Sequence, residues 1–548
     1  MAEPKKQILI LGAGVMQGPA IRCAKAMGLK TIVIDGDSRA PLASEADHFE
    51  AIDLKDIHKI EEFVQKLSMD GGIDGVMTAG TDFSASVAYI SEKFALPGIP
   101  YETALDASDK ERMRKCFKEA ALPSPAFTVF SKENPAFVPE NINLPFPYPV
   151  VVKPVDNMGS RGCRKVNNQT ELTEAVDNAF HFSRSGRTIV EEYMEGPEFS
   201  IDAVIYHGNV TICGLADRHI FFPPYFIEMG HTMPAIVSQK KQEQIIDVFI
   251  RGIKALGIDN GAAKGDIKLT KKGPMIGEIA ARLSGGYMSG WTYPYASGVD
   301  PAKGAICVAL GIEPKDLKPV RNWTSAERAF ISIPGLIHSI NGLDEVKNIP
   351  GIRDLFLRAR TGKRISFPEN NVSKAGNVIS AAENRQAAVE SAEKAARKVF
   401  IRLVAPDEET ETFLAESGSF SEEKTVNNCQ FPPSAYFLKP TLLKQLSHMA
   451  SGKMVPGTMV TGTIVPLSPF PGFLESDLTD YAGRSPRETL DAVEKLTGLE
   501  LFEANGAESP VLGREFWSAL VRGGYQGAVY YIDRLFYNAG FDLPGVTS

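Results

Sequence analysis

Residues 261–290 read GAAKGDIKLTKKGPMIGEIAARLSGGYMSG, and this stretch predicts two β-strands joined by a tight turn. We place the turn at residues 271–273, KKG, because a three-residue hairpin loop favours glycine in its last, left-handed position. If Thr270 pairs with Pro274, the register places Asp266 opposite Glu278. The hairpin therefore brings two carboxylates together on one face of a sheet.

Two opposed carboxylates are destabilising unless a positive charge lies between them. A divalent cation fits this pattern, because Mg²⁺ binds one or two carboxylates and fills its other positions with water and phosphate oxygens. The same face is predicted to carry Lys268 and Arg282. Acids for a metal and cations for an anion would then share one surface. A solvated hairpin with alternating charge is the alternative, and the hairpin alone does not decide between the two.

The bulk composition limits the class of protein. The 548 residues predict three or four domains, and a net charge of −8 argues against a general nucleic-acid binder. The six cysteines, at positions 23, 116, 163, 213, 307 and 429, have no metal-ligand spacing and predict reduced thiols of a cytoplasmic protein. The start MAEPKK is not typical of a signal peptide, and no apolar run reaches the roughly 18 residues of a membrane span.

The N-terminus predicts a βαβ unit. The apolar strand QILIL at 7–11 precedes Gly12, Gly14 and Gly18, and a second strand ends at Asp35. Glycines between strand and helix followed by an acid about 20 residues on resemble a dinucleotide fingerprint, which makes an NAD-dependent oxidoreductase one alternative. The spacing is GxGxxxG, one residue longer than the usual motif. The strand–helix rhythm continues through DFSASVAYISEKF at 82–94 and predicts a parallel sheet covered by helices.

Two further stretches predict contacts with an anion. Ser108 and Glu111 form a capping-box pattern, which places Lys110 in the first turn of a helix. Lys153 ends a predicted strand and is followed by VDNMGSRG at 155–162, whose backbone N–H groups could fold over phosphate. An ordinary glycine hairpin is the alternative for this loop.

The motifs KP with NMGSRG, VEEYMEGPEFSID at 190–202, GDIKL at 265–269 and GEIAARLSGG at 277–286 resemble, in this order, the ATP-grasp superfamily. The resemblance covers residues 7 to 404. It implies an α/β protein in which an ATP-grasp fold follows a Rossmann-like parallel βα domain. It also implies ATP and Mg²⁺ (or Mn²⁺) as cofactors.

The resemblance assigns roles to individual residues. Lys110 and Lys153 would contact ATP phosphates, residues 191–194 would form the hinge beside adenine, and Asp266 and Glu278 would hold Mg²⁺. Arg282 would face the transferred phosphoryl group. The expected nucleotide-binding set is Lys110, Lys153, Gly159, Ser160, Arg161, Gly162, Glu191, Glu192, Tyr193, Met194 and Glu198. Many members carry an asparagine metal ligand where this chain has Ala280, which leaves the number of metal ions open.

Substrate choice is expected in the aromatic and proline-rich stretch 215–235, which carries Asp217, Arg218, Glu228 and His231. EMGH at 228–231 followed by Pro234 is similar to ATP-grasp enzymes that join carboxylates to amines. Glu228, His231 and Arg282 are therefore the candidate catalytic residues, although a lone histidine also commonly satisfies a core hydrogen bond.

The predicted domains are a Rossmann-like domain at 1–107, an ATP-grasp domain at 108–320 with a lid at 122–195, and a small closing domain at 321–405. An acidic linker is expected at 406–426, because DEETETFLAESGSFSEE is polar and charged. Residues 427–548 predict an extra, mainly helical domain, including a capped helix from Ser485 to Gly498. Its role is unassigned; docking or dimerisation is the simplest expectation.

The sequence therefore predicts an ATP-dependent ligase that activates a small-molecule carboxylate as an acyl phosphate for capture by an amine, releasing ADP and phosphate. A homodimer without nucleic-acid or membrane partners is expected. A carboxylase or carboxyphosphate-forming enzyme is the alternative within the superfamily. An NAD-dependent oxidoreductase and a non-catalytic nucleotide sensor are the alternatives outside this reaction class.

Overall fold

A computed structural model describes residues 5–134, 142–415, 431–451, 470–501 and 512–545. The chain divides into two compact units. The first unit comprises residues 1–221, 228–327 and 379–389, and the second comprises 222–227, 328–378 and 390–548. None of the helices in the described ranges has both the length and the apolar character needed to cross a bilayer.

The first unit begins with the expected parallel sheet. Its elements are β1 (Gln7–Leu11), α1 (Gly18–Ala26), β2 (Lys30–Asp35), β3 (His48–Ala51), α2 (Ile57–Leu67), β4 (Gly75–Thr78) and α3 (Ser84–Lys93). The strand order is β3-β2-β1-β4, and all pairs are parallel. Residues 8–11 of β1 are fully buried, as expected for a strand covered on both faces.

Two helices lead to the next layer, α4 (Tyr101–Asp106) and α5 (Lys110–Glu119). The predicted cap of α5 is wrong by one residue. Asp109 is the N-cap and accepts from the Arg112 amide, whereas the Ser108 hydroxyl donates backwards to the Ala104 carbonyl at 2.7 Å. Lys110 still occupies the first turn, and it is buried.

A four-stranded antiparallel sheet follows, with β5 (Phe127–Ser131), β6 (Val150–Pro154), β7 (Arg164–Val166), α6 (Gln169–Phe182) and β8 (Arg187–Glu192). Its order is β5-β8-β6-β7. The glycine-containing loop 155–163 connects β6 to β7, as the sequence predicts.

A larger antiparallel sheet contains the predicted hairpin, which begins at Gly261 and ends at Ala280. Its elements are β9 (Glu198–Tyr206), β10 (Asn209–Phe221), β11 (Ile227–Met233), α7 (Gln239–Ala255), β12 (Gly261–Thr270), β13 (Gly273–Ala280), α8 (Tyr293–Ser297) and α9 (Pro301–Ala309). The strands run in the order β13-β12-β9-β10-β11.

The β12–β13 hairpin confirms the facing acids but corrects the turn. Thr270 pairs with Gly273, so the loop has two residues instead of three. A bulge then occurs where Ile267 faces Ile276 and Asp266 faces Glu278, leaving Gly277 as the extra residue. The predicted register near the turn is therefore wrong by one residue, and the bulge restores the predicted pairing at the acids.

Strand β14 (Thr324–Phe330) leads from the first unit into the second. The remaining elements are β15 (Gly335–Asn341), α10 (Leu343–Lys347), β16 (Ile352–Leu357), β17 (Arg364–Ile365), β18 (Gly376–Ala382), α11 (Arg385–Lys398), β19 (Phe400–Leu403), α12 (Glu408–Ala415), α13 (Pro440–His448), α14 (Pro486–Thr497) and α15 (Gly513–Asn538). In the second unit β15 pairs with both β17 and β19.

The beginning of the predicted acidic linker is a helix. Residues 408–415 form α12, because Thr410 and Phe413 supply a buried face that outweighs the polar composition. Residues 416–426 of that prediction lie outside the described residues. The Ser485 capping box and the end of α14 at Gly498 are confirmed, and the two predicted C-terminal helices are joined across a kink at Gly524.

Candidate active site

Three rows of side chains cross the larger sheet. The strand register aligns Arg218, Glu198 and Lys268 in one row. The next row aligns Ser200, Asp266 and Glu278, and the third aligns Asp202 and Lys264. Charges alternate along β12, from Lys264 to Asp266 to Lys268, whereas the middle row places the two acids Asp266 and Glu278 opposite each other.

The candidate metal acids lie in the middle row. Asp266 Oδ1 accepts from Ser200 Oγ at 2.9 Å, and its Oδ2 contacts Lys264 and lies 2.9 Å from Arg218. Burial raises the pKa of Asp266, but Arg218 and Lys264 outweigh burial and hold it below its usual value. The carboxylate is therefore ionised at neutral pH.

Glu278 is held in the same way. Its Oε1 lies 3.8 Å from Lys110 Nζ. Burial raises its pKa, yet Lys110, Lys264, Lys153 and Arg282 together lower it well below the usual range. Two ionised acids thus face each other within a ring of cations.

This pair fits a hard divalent cation. No third His, Cys, Asp or Glu of the described residues joins it in a metal-binding cluster. Mg²⁺ commonly takes only one or two carboxylates and completes its coordination with water and phosphate oxygens. Ala280, where many ATP-grasp members have an asparagine, is buried opposite Lys264. Asp266 and Glu278 are therefore the residues that would hold the metal.

The two expected phosphate-binding lysines lie near these acids on different elements. Lys110 Nζ donates to the Asn157 carbonyl at 2.8 Å, which ties α5 to the loop after β6. Lys153 Nζ lies 2.7 Å from Glu191 Oε2. Burial lowers the pKa of Lys110, but Glu278 and neighbouring acids outweigh it and raise the pKa. This lysine stays charged although it is buried.

Glu191 lies within a buried ion-pair cluster. Arg114 Nε donates to Glu191 Oε1 at 2.8 Å, and Arg114 Nη2 donates to the Gly277 carbonyl at 2.5 Å. Burial raises the pKa of Glu191, and Arg114 and Lys153 lower it further than burial raises it. The cluster joins α5, β6, β8 and the bulge of β13. Glu191 thus fixes Lys153 from the expected hinge segment.

The loop between β6 and β7 adopts the left-handed backbone conformation at three positions. Gly159, Ser160 and Gly162 have φ of +66°, +60° and +68°. A Cβ at Gly162 would lie 2.9 Å from Phe182, so a larger residue would also clash. Arg161 Nη1 donates to the Met158 carbonyl at 3.2 Å, and burial lowers the pKa of Arg161.

The remaining hinge residues follow Glu191. Glu192 Oε1 lies 3.2 Å from Lys272 Nζ. The Nζ atoms of Lys165 and Lys268 lie 4.3 and 5.2 Å from the centre of the Tyr193 ring. Met194 Cε would lie 3.7 Å from a Cβ at Gly277. Met194 thus adjoins the bulge between Asp266 and Glu278.

Arg218 joins three expected parts of the site. It pairs with Glu198, lies 2.9 Å from Glu228 Oε2 and lies 2.9 Å from Asp266 Oδ2. Its side chain is 12% exposed, and burial alone would lower its pKa. The three acids instead raise the pKa well above the usual value. A single guanidinium thus links residues of the expected nucleotide, substrate and metal positions.

Arg282 lies two residues beyond the end of β13 and is 11% exposed. Its Nη1 donates to the Leu283 carbonyl at 3.0 Å, and its Nε lies 4.0 Å from Asp82 Oδ1. Nε is buried and makes no hydrogen bond with the described residues. The planar fork of this arginine is therefore only partly satisfied, and it lowers the pKa of nearby Glu278.

His231 lies between two acids. Its Nδ1 is 3.1 Å from Glu327 Oε2, and its Nε2 is 3.5 Å from Glu228 Oε2. Burial lowers the pKa of His231, but Glu228 and Glu327 outweigh burial and raise it to about 9. The imidazole is therefore charged at neutral pH, which suits an anion-holding role and opposes a role as a general base.

Three residues of the site, Arg114, Lys264 and Glu327, belong to none of the predicted site positions. Two of them follow simple spacing rules. Arg114 lies four residues after Lys110 on one face of α5, and Lys264 lies two residues before Asp266 on one face of β12. Glu327 lies 96 residues from His231, and no local pattern could have paired them.

Comparison with known protein families agrees with this geometry. The ATP-grasp domain family matches residues 146–290, and the ATP-grasp N-terminal domain family matches residues 21–98. The family described as L-amino acid ligase C-terminal domain 2 matches residues 329–404. The N-terminal βαβ region thus belongs to an ATP-grasp arrangement, and these matches do not support the oxidoreductase interpretation of its glycines.

Individual proteins resemble the same part of the chain. Uncharacterized protein y4rH of Sinorhizobium fredii is 28% identical over 353 residues, which cover 63% of this chain and 72% of that protein. Carnosine synthase 1 of Gallus gallus is 24% identical over 56% of this chain, which spans only 36% of the synthase.

A solved structure gives the fold. L-amino acid ligase from Bacillus licheniformis has a TM-score of 0.64 at 22% identity, covering 74% of this chain and 100% of that one, and this likeness shows the fold alone. Three successive family matches, their order and the charged site agree with one another. The chain therefore belongs to the ATP-grasp superfamily.

Proposed function

We propose that this protein is an ATP-dependent ligase that activates the carboxylate of one amino acid as an acyl phosphate and joins it to the amino group of a second small molecule. A carboxylate oxygen would attack the γ-phosphorus of ATP while the bond to the β-phosphate oxygen breaks and ADP leaves. The amine nitrogen would then attack the acyl carbon, lose a proton and release phosphate. The arrangement that carries this proposal is the ring of cations around the opposed Asp266 and Glu278.

Positioning and charge neutralisation are the main tasks of a protein in phosphoryl transfer. Lys110, Lys153 and Arg282 offer positive charge from three different elements, and all three contribute to lowering the pKa of Glu278. Their convergence supports a polyphosphate at this surface. Arg282 is best suited to the transferred group because its fork has an unsatisfied, buried Nε.

Asp266 and Glu278 would hold Mg²⁺ by their ionised oxygens. When bound, this ion supplies positive charge to phosphate oxygens. Lys264 and Ser200 keep Asp266 oriented, and Lys110 stays close to Glu278. The residues present are thus prepared for a metal although none of them is a covalent nucleophile.

The backbone at Gly286 approaches Glu228 and His231, the residues of the expected substrate wall, too closely to leave room for a side chain. Gly286 has φ of +59°, and a Cβ there would lie 2.7 Å from Glu228 Oε1 and 3.2 Å from His231 Cε1. A charged His231 could bind a carboxylate, and Glu228 could bind an ammonium group. An amino acid carries both groups. The match of residues 329–404 to the L-amino acid ligase domain also favours amino acids.

Isotope transfer tests the reaction. We would first measure ADP release with pairs of amino acids, and then label the accepted carboxylate with ¹⁸O. The proposal expects one ¹⁸O atom in each released phosphate, with ADP as the nucleotide product. AMP with pyrophosphate, or unlabelled phosphate at normal coupling, would contradict the acyl phosphate.

The same assay separates the alternatives. ADP release that requires bicarbonate instead of an amine would indicate a carboxyphosphate-forming enzyme. ATP binding without turnover over the full substrate panel would indicate a nucleotide sensor. A homodimer is a separate proposal, which light scattering of the full chain tests by the expected doubling of mass.

A further inference from the structure

The second unit contains a cavity of about 630 Å³. Its wall combines the β15–α10 turn, the second half of α11, the start of β19, and parts of α14 and α15. This volume lies within the range of about 300–1,000 Å³ that small-molecule sites occupy. The family matches end at residue 404, whereas Arg484, Lys495 and Tyr525 of the wall follow that point. The cavity is thus completed by residues beyond the matched families.

The aromatic floor of this cavity is fixed by packing. The ring centres of Phe400 and Tyr525 lie 4.3 Å apart, and the Arg484 guanidinium lies 5.1 Å from the centre of the Tyr525 ring. The Tyr525 hydroxyl donates to the Ala492 carbonyl at 3.1 Å. Burial raises the pKa of Tyr525 to about 12, so the phenol stays neutral. A ligand would meet a preformed apolar surface there.

The rim carries charges of both signs. Lys394 and Lys398 come from α11, Lys495 comes from α14, and Glu345 and Glu390 lie on the same cavity. Within the described part of the chain, no ion pair engages any of the three lysines. Helices α11 and α14 end at this cavity, and a cation in the last turn of a helix is stabilised by the helix dipole without any ligand. Lys394 lies one turn before the end of α11, where that explanation is weaker.

The two arginines of the wall have structural partners already. Arg397 Nε donates to the Ala482 carbonyl at 3.0 Å. Arg484 Nη1 lies 3.3 Å from Asp480, and its Nη2 donates to the Arg397 carbonyl. These bonds hold the wall together. The lysines are therefore the cations available to a ligand.

We propose that this cavity binds a small amphipathic zwitterion, a free amino acid or a dipeptide. The lysines would hold its carboxylate, Glu345 and Glu390 would hold its ammonium group, and the floor of Phe400 and Tyr525 would contact an apolar side chain. Because acids line the wall together with the lysines, the cavity suits a ligand that carries a positive group as well as a negative one. The site is separate from the charged sheet surface and does not depend on the proposed reaction.

Calorimetry on the full chain tests this site with three probes: L-phenylalanine, L-alanyl-L-phenylalanine, and N-acetyl-L-phenylalanine, which lacks the ammonium group. The Lys398→Gln/Lys495→Gln variant should lose one binding site, or at least tenfold in affinity, for the preferred probe. Lys240→Gln/Lys254→Gln on exposed positions of α7 is the charge-matched control and should bind as the parent does. The preference between the first two probes distinguishes a free amino acid from a dipeptide.

Glu345→Gln tests the ammonium contact. The parent should bind the free amine at least fivefold more tightly than the N-acetyl probe, and this variant should lose that preference without losing its folded circular-dichroism spectrum. Stoichiometry separates the two proposals, because loss of ligase activity with one remaining site would leave the cavity assignment intact. Unchanged stoichiometry and affinity in the double lysine variant, or no saturable binding by the parent up to 10 mM probe, roughly the weak limit for a specific site, would overturn the proposal.

Discussion

Arg218 shows how strongly single residues of this site are coupled. Its guanidinium contacts Glu198, Glu228 and Asp266, which the sequence analysis had placed in three different roles. Since an arginine offers five N–H donors in a fixed plane, one side chain can hold all three acids in a defined geometry. Protonation of one of these acids therefore changes the interaction of Arg218 with the other two.

Arg282→Lys tests the phosphoryl contact. Lysine keeps the charge but loses the planar fork, so we expect kcat to fall about 100-fold while the Kd for ATP changes less than about threefold. Steady-state kinetics and calorimetry measure the two quantities. Arg251→Lys, on an exposed position of α7, is the matched control and should leave both unchanged. A variant whose only defect is weaker ATP binding would place Arg282 outside the transition state.

His231 provides a prediction about pH. Its pKa is raised to about 9 in the folded protein against about 6.5 when unfolded. The stabilisation from its charge is fully present below pH 6.5 and is lost as pH rises through 9. NMR of histidine labelled with ¹³C should show one resonance, absent in His231→Gln, that titrates near pH 9. A midpoint near 6.5 for that resonance would contradict the charged imidazole.

At the scale of elements, the β12–β13 hairpin reverses one expectation from the sequence. Opposed acids suggest that removing one would relieve repulsion, and Glu278 does raise the pKa of Asp266. The surrounding cations nevertheless outweigh this effect, since the pKa values of both acids are lowered. Neutralising Glu278 would leave Lys110 and Lys264 with less compensation.

We therefore expect Glu278→Gln to lower the free energy of unfolding by about 1–3 kcal/mol at pH 7 and to abolish Mg²⁺-dependent turnover. Because a lowered pKa stabilises above the unfolded value near 4.5, the difference from the parent should shrink as pH falls below it. Thermal unfolding at pH 4 and pH 7 measures this. Glu62→Gln, exposed on α2, is the control. Equal or greater stability of Glu278→Gln at pH 7 would restore the repulsion argument.

The same hairpin shows what the sequence could and could not predict. The pairing of Asp266 with Glu278 follows from strand alternation, which is a local rule. The bulge at Gly277 does not follow from that rule, and its carbonyl accepts a hydrogen bond from Arg114, 163 residues away. Asp109, instead of the predicted Ser108, caps α5 because the Ser108 hydroxyl donates to the Ala104 carbonyl. Helix α12 depends on a buried face that only the folded second unit supplies. Local periodicity predicts elements, whereas long-range partners decide their ends and their charges.

At the scale of the whole molecule, the C-terminal residues share a core with the domain before them. Phe400 of β19 packs in one hydrophobic cluster with Tyr436 and Trp517, and Tyr530 of α15 belongs to the cluster around β15 and β19. Within the second unit, the predicted closing domain and the predicted C-terminal domain are thus not independent. A buried ion pair connects α15 to β19, and substituting it tests whether α15 stabilises this shared core.

Arg402 of β19 and Asp533 of α15 form that pair. Arg402 Nε donates to Asp533 Oδ2 at 2.8 Å, Nη2 donates to Oδ1 at 2.5 Å, and both side chains are almost fully buried. Removing one partner leaves a buried charge, so Asp533→Ala should lower the stability of the second unit by about 3–5 kcal/mol. Arg402→Met/Asp533→Leu should recover most of that loss, because an apolar pair of similar volume needs no compensating charge. Hydrogen exchange of β19 and α15 measures both variants, and Asp491→Ala on the exposed face of α14 is the control. If Asp533→Ala left protection in both elements unchanged, this ion pair would not hold α15 to β19, and the shared core would rest on its apolar clusters alone.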